Sequence, residues 1–407
     1  MEHRLVGAVE EALGWADASG LGGEFARGSL EDPGLGARLL TPTTLLDLIM
    51  RRSLSTPQLR CFCDGTELHP TRYITDTVGR RGQSIRIADM RRLGRLLHTG
   101  CTLVLDSLDF FDPTLEVACR ALQWWSRELV QVNAYLTTQQ ASGFNLHWDD
   151  HDVVIVQLAG DKSWEVREPS RSFPLYRDAA PNLEPSNEIV WSGTLSAGEV
   201  MHIPRGYWHQ ATRNDHGAGY SLHLTFGFVK RTGVNWLSWL ADHSREHDLF
   251  RQDLDRWATP DTRAAKDSEI TAAAARFLAE HPPSEFLTAR EREWEAARHV
   301  STLGVFGLPS DVVCVTEFPP TLQEQGQEVV VPAAGKKITF AARAVPALRL
   351  LLSGHPVNIA DATHTTGLNV SRLADVLCEE GICAELTAEL SSGYTDLTTT
   401  GSSSNPR

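Results

Sequence analysis

His147 and Asp149 stand two residues apart in the stretch Asn145-Leu146-His147-Trp148-Asp149-Asp150-His151-Asp152. On an extended strand, residues two apart face the same side. One imidazole and one carboxylate would therefore project together. One more histidine would complete a 2-His-1-carboxylate face, which binds Fe(II) and leaves positions open for oxygen and a co-substrate. The pair alone is a weak signal, because with 15 histidines in 407 residues about one such match arises by chance. His209 is the candidate third ligand. It follows the turn Ile203-Pro204-Arg205-Gly206, far enough from Asp149 for two ligand segments to face each other across a small barrel. Taken alone, His209 reads as an ordinary strand histidine. Beside His147, Asp149 and a barrel pattern, the metal reading prevails.

The elements around these residues supply that pattern. From Val130 onward short strands are predicted at 131–137, 153–158, 162–167, 188–191, 199–203, 208–212 and 220–226. Gly160-Asp161 and Pro204-Arg205-Gly206 mark turns between them. Strands in such succession indicate a sandwich or barrel, and the lack of a helical period between them excludes a Rossmann sheet here. Residues 1–58 read as mostly helical, with a helix start near Thr43, and 59–75 as strand with turns. An amphipathic helix is predicted over 86–98, a buried strand over 101–106, and a helix over 115–129 that buries Trp124 and Trp125.

Composition bounds the function. A chain of 407 residues suggests two or three domains. Its net charge of −14 argues against a general nucleic-acid binder. No transmembrane run or signal peptide is apparent, so a cytoplasmic protein is expected. The seven cysteines include no Cys-x-x-Cys pair. Buried free thiols are therefore expected, rather than structural zinc or a disulfide framework.

Five blocks in order then resemble one family. They are Asn133-Ala134-Tyr135-Leu136-Thr137; Gly143-Phe144 with His147, Asp149 and Asp150; Val156-Gln157-Leu158 with Gly160, Lys162 and Trp164; Ile203-Pro204-Arg205-Gly206 with His209-Gln210-Ala211; and Ser221-Leu222-His223-Leu224-Thr225. Residues 130 to about 230 are similar to the JmjC-type cupin domain of Fe(II)/2-oxoglutarate oxygenases, in particular the ribosomal oxygenase group and its bacterial relatives. The resemblance implies an α+β fold, with a double-stranded β-helix (cupin or jelly roll) preceded by N-terminal helices. It implies Fe(II) on His147, Asp149 and His209, with 2-oxoglutarate and O2 as co-substrates. Lys162 stands where the family keeps a cation for the distal carboxylate. A lysine tip inside a barrel needs an anionic partner; its plainer reading is a solvated hairpin lysine beside Gly160-Asp161. Asn133 and His223 occupy the family's other co-substrate or near-iron polar positions. Strand parity sets Tyr135 with Asn133, and Ser221 and Thr225 with His223. Tyr135 and Thr225 thus join the expected co-substrate wall, unless these residues only satisfy one another. His151 and His202 are left out of the ligand set.

The resemblance also implies a helical dimerisation region and a C-terminal winged helix. The apolar positions Trp236, Leu237, Trp239, Leu240, Phe250, Leu254 and Trp257 suit the first. The expected organisation is a catalytic domain over 1–230 with its core barrel at 100–230, a helical region over 231–300, a winged-helix-like domain over 301–395 and a disordered tail over 396–407. From His355 to Leu390 there is one arginine and no lysine against six acids, so the winged helix is expected to bind protein, or serve structure, rather than DNA. The expected activity is hydroxylation of a protein or peptide side chain: a ribosomal-protein Arg or His, or a biosynthetic precursor peptide. The expected partner is a polypeptide, possibly basic, acted on by a homodimer without a membrane. The alternatives are a JmjC-type lysine demethylase and a metal-binding cupin without oxygenase chemistry.

Overall fold

A computed structural model describes residues 2–175, 184–295 and 298–398. Up to residue 229 its strands are β1 (Ala26–Ser29), β2 (Leu59–Cys63), β3 (Thr66–Glu67), β4 (Ile74–Val78), β5 (Ser84–Ala88), β6 (Thr102–Leu105), β7 (Leu129–Thr138), β8 (Asp152–Ala159), β9 (Lys162–Arg167), β10 (Ile189–Leu195), β11 (Glu199–Ile203), β12 (Trp208–Thr212) and β13 (Tyr220–Val229). Eight of them form one sheet in the order β1-β11-β8-β13-β7-β6-β2-β3, and β10-β9-β12 form a facing sheet. The pairings described among these strands are antiparallel. Two facing antiparallel sheets are the expected double-stranded β-helix.

Residue type accounts for the layering. The β-branched run Val153-Val154-Ile155-Val156 of β8 is buried on both faces. Val153 and Ile155 pack inward with Met201, Ile203, Trp164 and Val166. Val154, Val156 and Val200 turn outward, into a core shared with Leu222, Leu224 and Phe226. That outer face is covered by α1 (Arg4–Leu13), α2 (Leu35–Leu39), α3 (Pro42–Arg51) and α5 (Pro113–Ser126), with α4 (Met90–Thr99) lying before β6.

Several expectations are corrected. The N-terminal segment is not only helical: Ala26–Ser29 adds edge strand β1 beside β11. The helix expected over 86–98 starts at Met90, because Arg86-Ile87-Ala88 pair in β5 and the Asp89 carboxylate caps the amides of Arg91 and Arg92. The helix placed near Thr43 begins with Pro42 after the cap Thr41.

Beyond the barrel lie α6 (Gly233–His243), α7 (Asp248–Arg251), α8 (Pro260–Glu280) and α9 (Pro283–Glu293). Then come β14 (Asp311–Cys314), β15 (Gln323–Gln325), β16 (Glu328–Ala333), β17 (Lys336–Ala341), α10 (Val345–Leu351), β18 (Val357–Asn358), α11 (Ile359–Thr366), α12 (Val370–Glu379), β19 (Cys383–Glu385) and α13 (Ala388–Tyr394). Helix α11 and strands β15–β17 carry no element in the sequence reading. Helix α5 ties this region to the barrel. Trp124 Nε1 donates to the Thr316 carbonyl at 3.0 Å, and Arg120 donates to the Tyr394 hydroxyl at 3.1 Å. Trp124 is thus core, as expected, but it joins the C-terminal core. Leu397 falls in the expected tail, yet it is buried and its carbonyl accepts from Arg4 N at 2.8 Å. Residues 399–407 of that tail lie outside the described residues. All seven cysteines are free, and all but Cys63 are buried.

Candidate active site

Two histidines and one aspartate converge at one end of the barrel. His147 and Asp149 do not lie in a regular strand, contrary to the simple parity picture. Their loop is held by a single antiparallel bridge to His209, with His147 N donating to the His209 carbonyl at 3.1 Å and His209 N returning the bond at 2.7 Å. The Asp149 carbonyl accepts from Gly206 N at 2.9 Å, so the Pro204-Arg205-Gly206 turn clamps the loop from the other side. Gly206 has φ +87, a left-handed value that favours glycine.

The result is a group whose ligand atoms all lie within 4.8 Å of one another. His209 Nε2 is 3.5 Å from Asp149 Oδ2, and the two imidazole centroids are 4.3 Å apart. Each histidine turns Nδ1 to a backbone carbonyl: His147 to Asn145 at 2.8 Å and His209 to Tyr207 at 3.0 Å. A carbonyl only accepts, so each Nδ1 carries the proton and each Nε2 keeps its lone pair for a metal. Burial, and then His147 alongside, pushes the His209 imidazole down to about 4. The neutral form that a metal needs is therefore favoured. The donor set, two nitrogens and one carboxylate oxygen on one side, fits Fe(II).

The same cavity, about 300 Å³, runs from these residues to Lys162. Strand β9 alternates so that Lys162, Trp164 and Val166 turn inward while Ser163, Glu165 and Arg167 turn out. Lys162 is 2 % exposed, and its ammonium donates a hydrogen bond to Thr137 Oγ1 at 2.9 Å. No carboxylate pairs with it among the described residues. Burial, with Arg213 nearby, lowers its pKa to about 7. Trp164 Nε1 and His223 Nδ1 also lack partners among the described residues. A buried cation with no anion, beside two unsatisfied polar atoms, fits a carboxylate ligand.

The other expected residues fall on the same wall. Thr225 pairs with Asn133 and His223 with Tyr135 across β13 and β7, and all four line the cavity. His223 stacks on Tyr135 with centroids 4.8 Å apart. Asn133 is partly committed, since its Oδ1 accepts from Ser107 N at 2.9 Å. Ser221 departs from this wall: it is buried and takes a hydrogen bond from Gln157 Nε2 at 2.8 Å. Burial lowers the His223 imidazole well below its usual value, with Lys162 adding to the effect.

Of the two excluded histidines, His151 reaches the cavity and lies against Gly227, where an added Cβ would sit 2.9 Å from its ring. His202 shares the outward parity of Val200 and packs edge-on against Trp15. Neither belongs to the metal-capable group. Sequence reading assigned no role to Thr137, Trp164 or Arg60. The alternation of β9 carries a signal for Trp164, which shares parity with Lys162. Thr137 likewise shares parity with Asn133 and Tyr135 on β7, whereas Arg60 carries no signal, because its placement depends on which strands pair.

Residues 111–232 match the JmjC domain family, so this segment of the chain is a JmjC domain. Its homologues include the Caenorhabditis briggsae protein named bifunctional lysine-specific demethylase and histidyl-hydroxylase NO66, 35% identical over 145 residues, which are 34% of this chain and 18% of that protein. Rattus norvegicus ribosomal oxygenase 1 is 32% identical over 173 residues, 41% of this chain and 28% of that protein. The match thus spans less than a third of these relatives' lengths. Among solved structures, Escherichia coli YcfD aligns over 89% of this chain and 95% of its own, with TM-score 0.55 and 16% identity. Another structure of that ribosomal oxygenase, in complex with cobalt and 2-oxoglutarate, aligns with TM-score 0.51 at 16% identity over the same shares. At this identity the likeness establishes the fold.

Proposed function

We propose that this protein is an Fe(II)- and 2-oxoglutarate-dependent oxygenase that hydroxylates a side chain of a protein or peptide. The observation that carries the reading is the pairing of two features in one cavity. Three groups suited to Fe(II) stand at one place, and a buried lysine without an anion stands at another. A cupin that only bound metal would have no need of Lys162. The names of the relatives point the same way.

His147, Asp149 and His209 would hold the metal. Iron with the oxo-acid supplies the oxidation, in which one atom of O2 enters a substrate C–H bond as the oxo-acid becomes succinate and carbon dioxide. Lys162 and Thr137 bind the distal carboxylate through a charged and a neutral hydrogen bond. Tyr135, His223, Asn133 and Thr225 form the wall against which the oxo-acid is oriented. The Asn145 and Tyr207 carbonyls keep both histidines in the ligating tautomer. The apolar floor of Val153 and Ile155 excludes water from the reacting region.

In this reading residues 1–230 are catalytic, 231–300 form a helical region for homodimerisation, and 301–395 form a winged-helix-like domain in which α10–α12 pack with the small sheet β18-β14-β19. The charge of −14 suits a basic polypeptide partner in the cytoplasm. No described helix is long and apolar enough to cross a membrane.

The test is succinate release from 2-oxoglutarate by the iron-loaded protein, with polypeptides from cells with and without the gene compared by mass spectrometry. One oxygen gained on a polypeptide supports hydroxylation; a methyl group lost with formaldehyde means demethylation instead. His209→Ala should abolish turnover and weaken metal binding while the thermal unfolding profile keeps one folded transition. Full turnover in that variant would remove the metal assignment.

A further inference from the structure

The chain is acidic overall, yet residues 72–95 hold seven arginines and no lysine against two aspartates, a balance of +5. The fold gathers these arginines on one feature. Strands β4 and β5 form a two-stranded ribbon that joins neither barrel sheet. Its tip, Gly79-Arg80-Arg81-Gly82, closes with Gly79 N donating to the Gln83 carbonyl at 2.7 Å and with Gly82 at φ +75. Helix α4 follows directly and adds Arg91, Arg92 and Arg95.

An isolated ribbon is marginal in water, so its base must be anchored. Asp89 N donates to the Tyr73 carbonyl at 2.7 Å, Arg92 Nη1 to the Thr71 carbonyl at 2.9 Å, and the buried Tyr73 hydroxyl to the Leu59 carbonyl at 3.3 Å. The ribbon is thereby rooted on strand β2, which lies between β6 and the two-residue edge strand β3 and carries Arg60 of the cavity lining. At the root, Thr71, Arg72, Arg92, Arg95, Leu96 and Thr99 line an open depression of about 410 Å³ with no carboxylate among them.

Most of these arginines are uncommitted. Arg86 faces Asp76 at 3.8 Å and Arg92 faces Asp89 at 3.2 Å. Arg72, Arg80, Arg81, Arg91 and Arg95 are exposed and have no ion pair among the described residues. Five like charges on one feature repel one another, and an acidic chain offers many carboxylates that could neutralise them. Their concentration calls for an external polyanion. Arginine suits phosphodiester groups, which a guanidinium grips through two parallel hydrogen bonds. A narrow, twisted ribbon with basic residues at tip and root follows a nucleic-acid backbone over several phosphates.

We propose that the β4–β5 ribbon and α4 form a docking surface for the phosphate backbone of RNA. The choice of RNA over DNA rests on the oxygenase reading, in which the basic polypeptide substrates include RNA-associated ones; the polyanion site itself does not. Backbone contacts carry little sequence information, so binding is salt-sensitive and sequence-tolerant.

The experiment is fluorescence anisotropy of a labelled RNA stem-loop with the full chain, without iron or oxo-acid, across a salt series. Five phosphate contacts give a slope of log affinity against log salt of about −4 to −5, at about −0.9 per contact. The quadruple variant Arg80→Ala, Arg81→Ala, Arg91→Ala, Arg95→Ala should bind at least about tenfold more weakly at low salt, with a slope near −1. Its unfolding temperature and succinate release should match the parent, since none of the four lines the catalytic cavity. No RNA binding by the parent, or equal binding by the variant, overturns the proposal. So does a DNA duplex of the same sequence binding as tightly, or retention on phosphatidylserine vesicles without RNA binding. RNA binding lost in the variant, in a protein that makes no succinate, upholds this surface and refutes only the oxygenase reading.

Discussion

At the residue scale, Lys162 separates a metal-binding barrel from an oxo-acid oxygenase. Its ammonium titrates near pH 7 because burial, with Arg213 nearby, disfavours the charge. A carboxylate ligand needs the charged form. Above pH 7 the free protein must take up a proton to bind the oxo-acid, so affinity should fall by up to about tenfold per pH unit and level off below 7. The linkage runs the same way for folding. The folded pKa lies below the unfolded one, so the ligand-free protein gains stability as pH rises from about 7 toward 10.5. Lys162→Ala should raise the KM for 2-oxoglutarate about ten- to a hundredfold, the equivalent of roughly 1.5–3 kcal/mol for a hydrogen bond to a charged group, and flatten its pH dependence. KM measured from pH 6 to 9 in both proteins decides the matter; parallel profiles would mean the carboxylate sits elsewhere.

At the element scale, the β8–β9 turn delivers Lys162 to the barrel interior. Gly160 holds φ +61, and a Cβ there would lie 2.0 Å from the Tyr220 carbonyl of β13, the strand that pairs with β8. Gly160→Ala carries backbone strain of about 1–3 kcal/mol, and the collision adds to it. Relief requires β9 to move away from β13, which shifts Lys162 two residues on. Thermal unfolding should begin several degrees earlier, with a higher KM for the oxo-acid. A variant with parental unfolding temperature and KM would mean the turn relaxes without moving β9. The clamp around His147 and His209 is likewise an element effect, since two backbone hydrogen bonds replace a regular strand.

At the scale of the whole molecule, charge and apolar surface are distributed unevenly. The net −14 describes the chain but not the arginine ribbon, so a sum over the sequence understates what one surface can bind. The helices after the barrel split their apolar residues in a similar way. Leu240, Phe277 and Phe286 are buried within the chain, whereas Val234, Leu237, Leu254 and Trp257 stay exposed, Trp257 at 90 %. Exposed apolar surface of this kind suits a second copy. Sedimentation velocity at micromolar concentration should give a dimer, and Leu237→Asp with Trp257→Ala should shift it to monomer. A parental chain that stays monomeric would leave that face without its proposed partner.

What the sequence determined by itself is local and periodic. The two-residue period of strands predicts that Asn133 with Tyr135, and His223 with Thr225, share a face, and all four line the cavity. The His-x-Asp motif and the turn before His209 mark the metal-capable residues from sequence alone. Tertiary structure decided the rest, because it depends on which distant segments meet. The facing of the two sheets set Thr137 of β7 against Lys162 of β9, and a bridge between loop and strand aimed His147 at His209. The parity of β11 sent His202 outward while His151 came to rest on Gly227. Strand β1 closed the sheet from the far N-terminus, and α5 joined the C-terminal core. Side-chain alternation is a property of a few neighbouring residues and can be read along the chain. Pairing is a choice among many possible closures, made by the burial and hydrogen bonding of the folded whole.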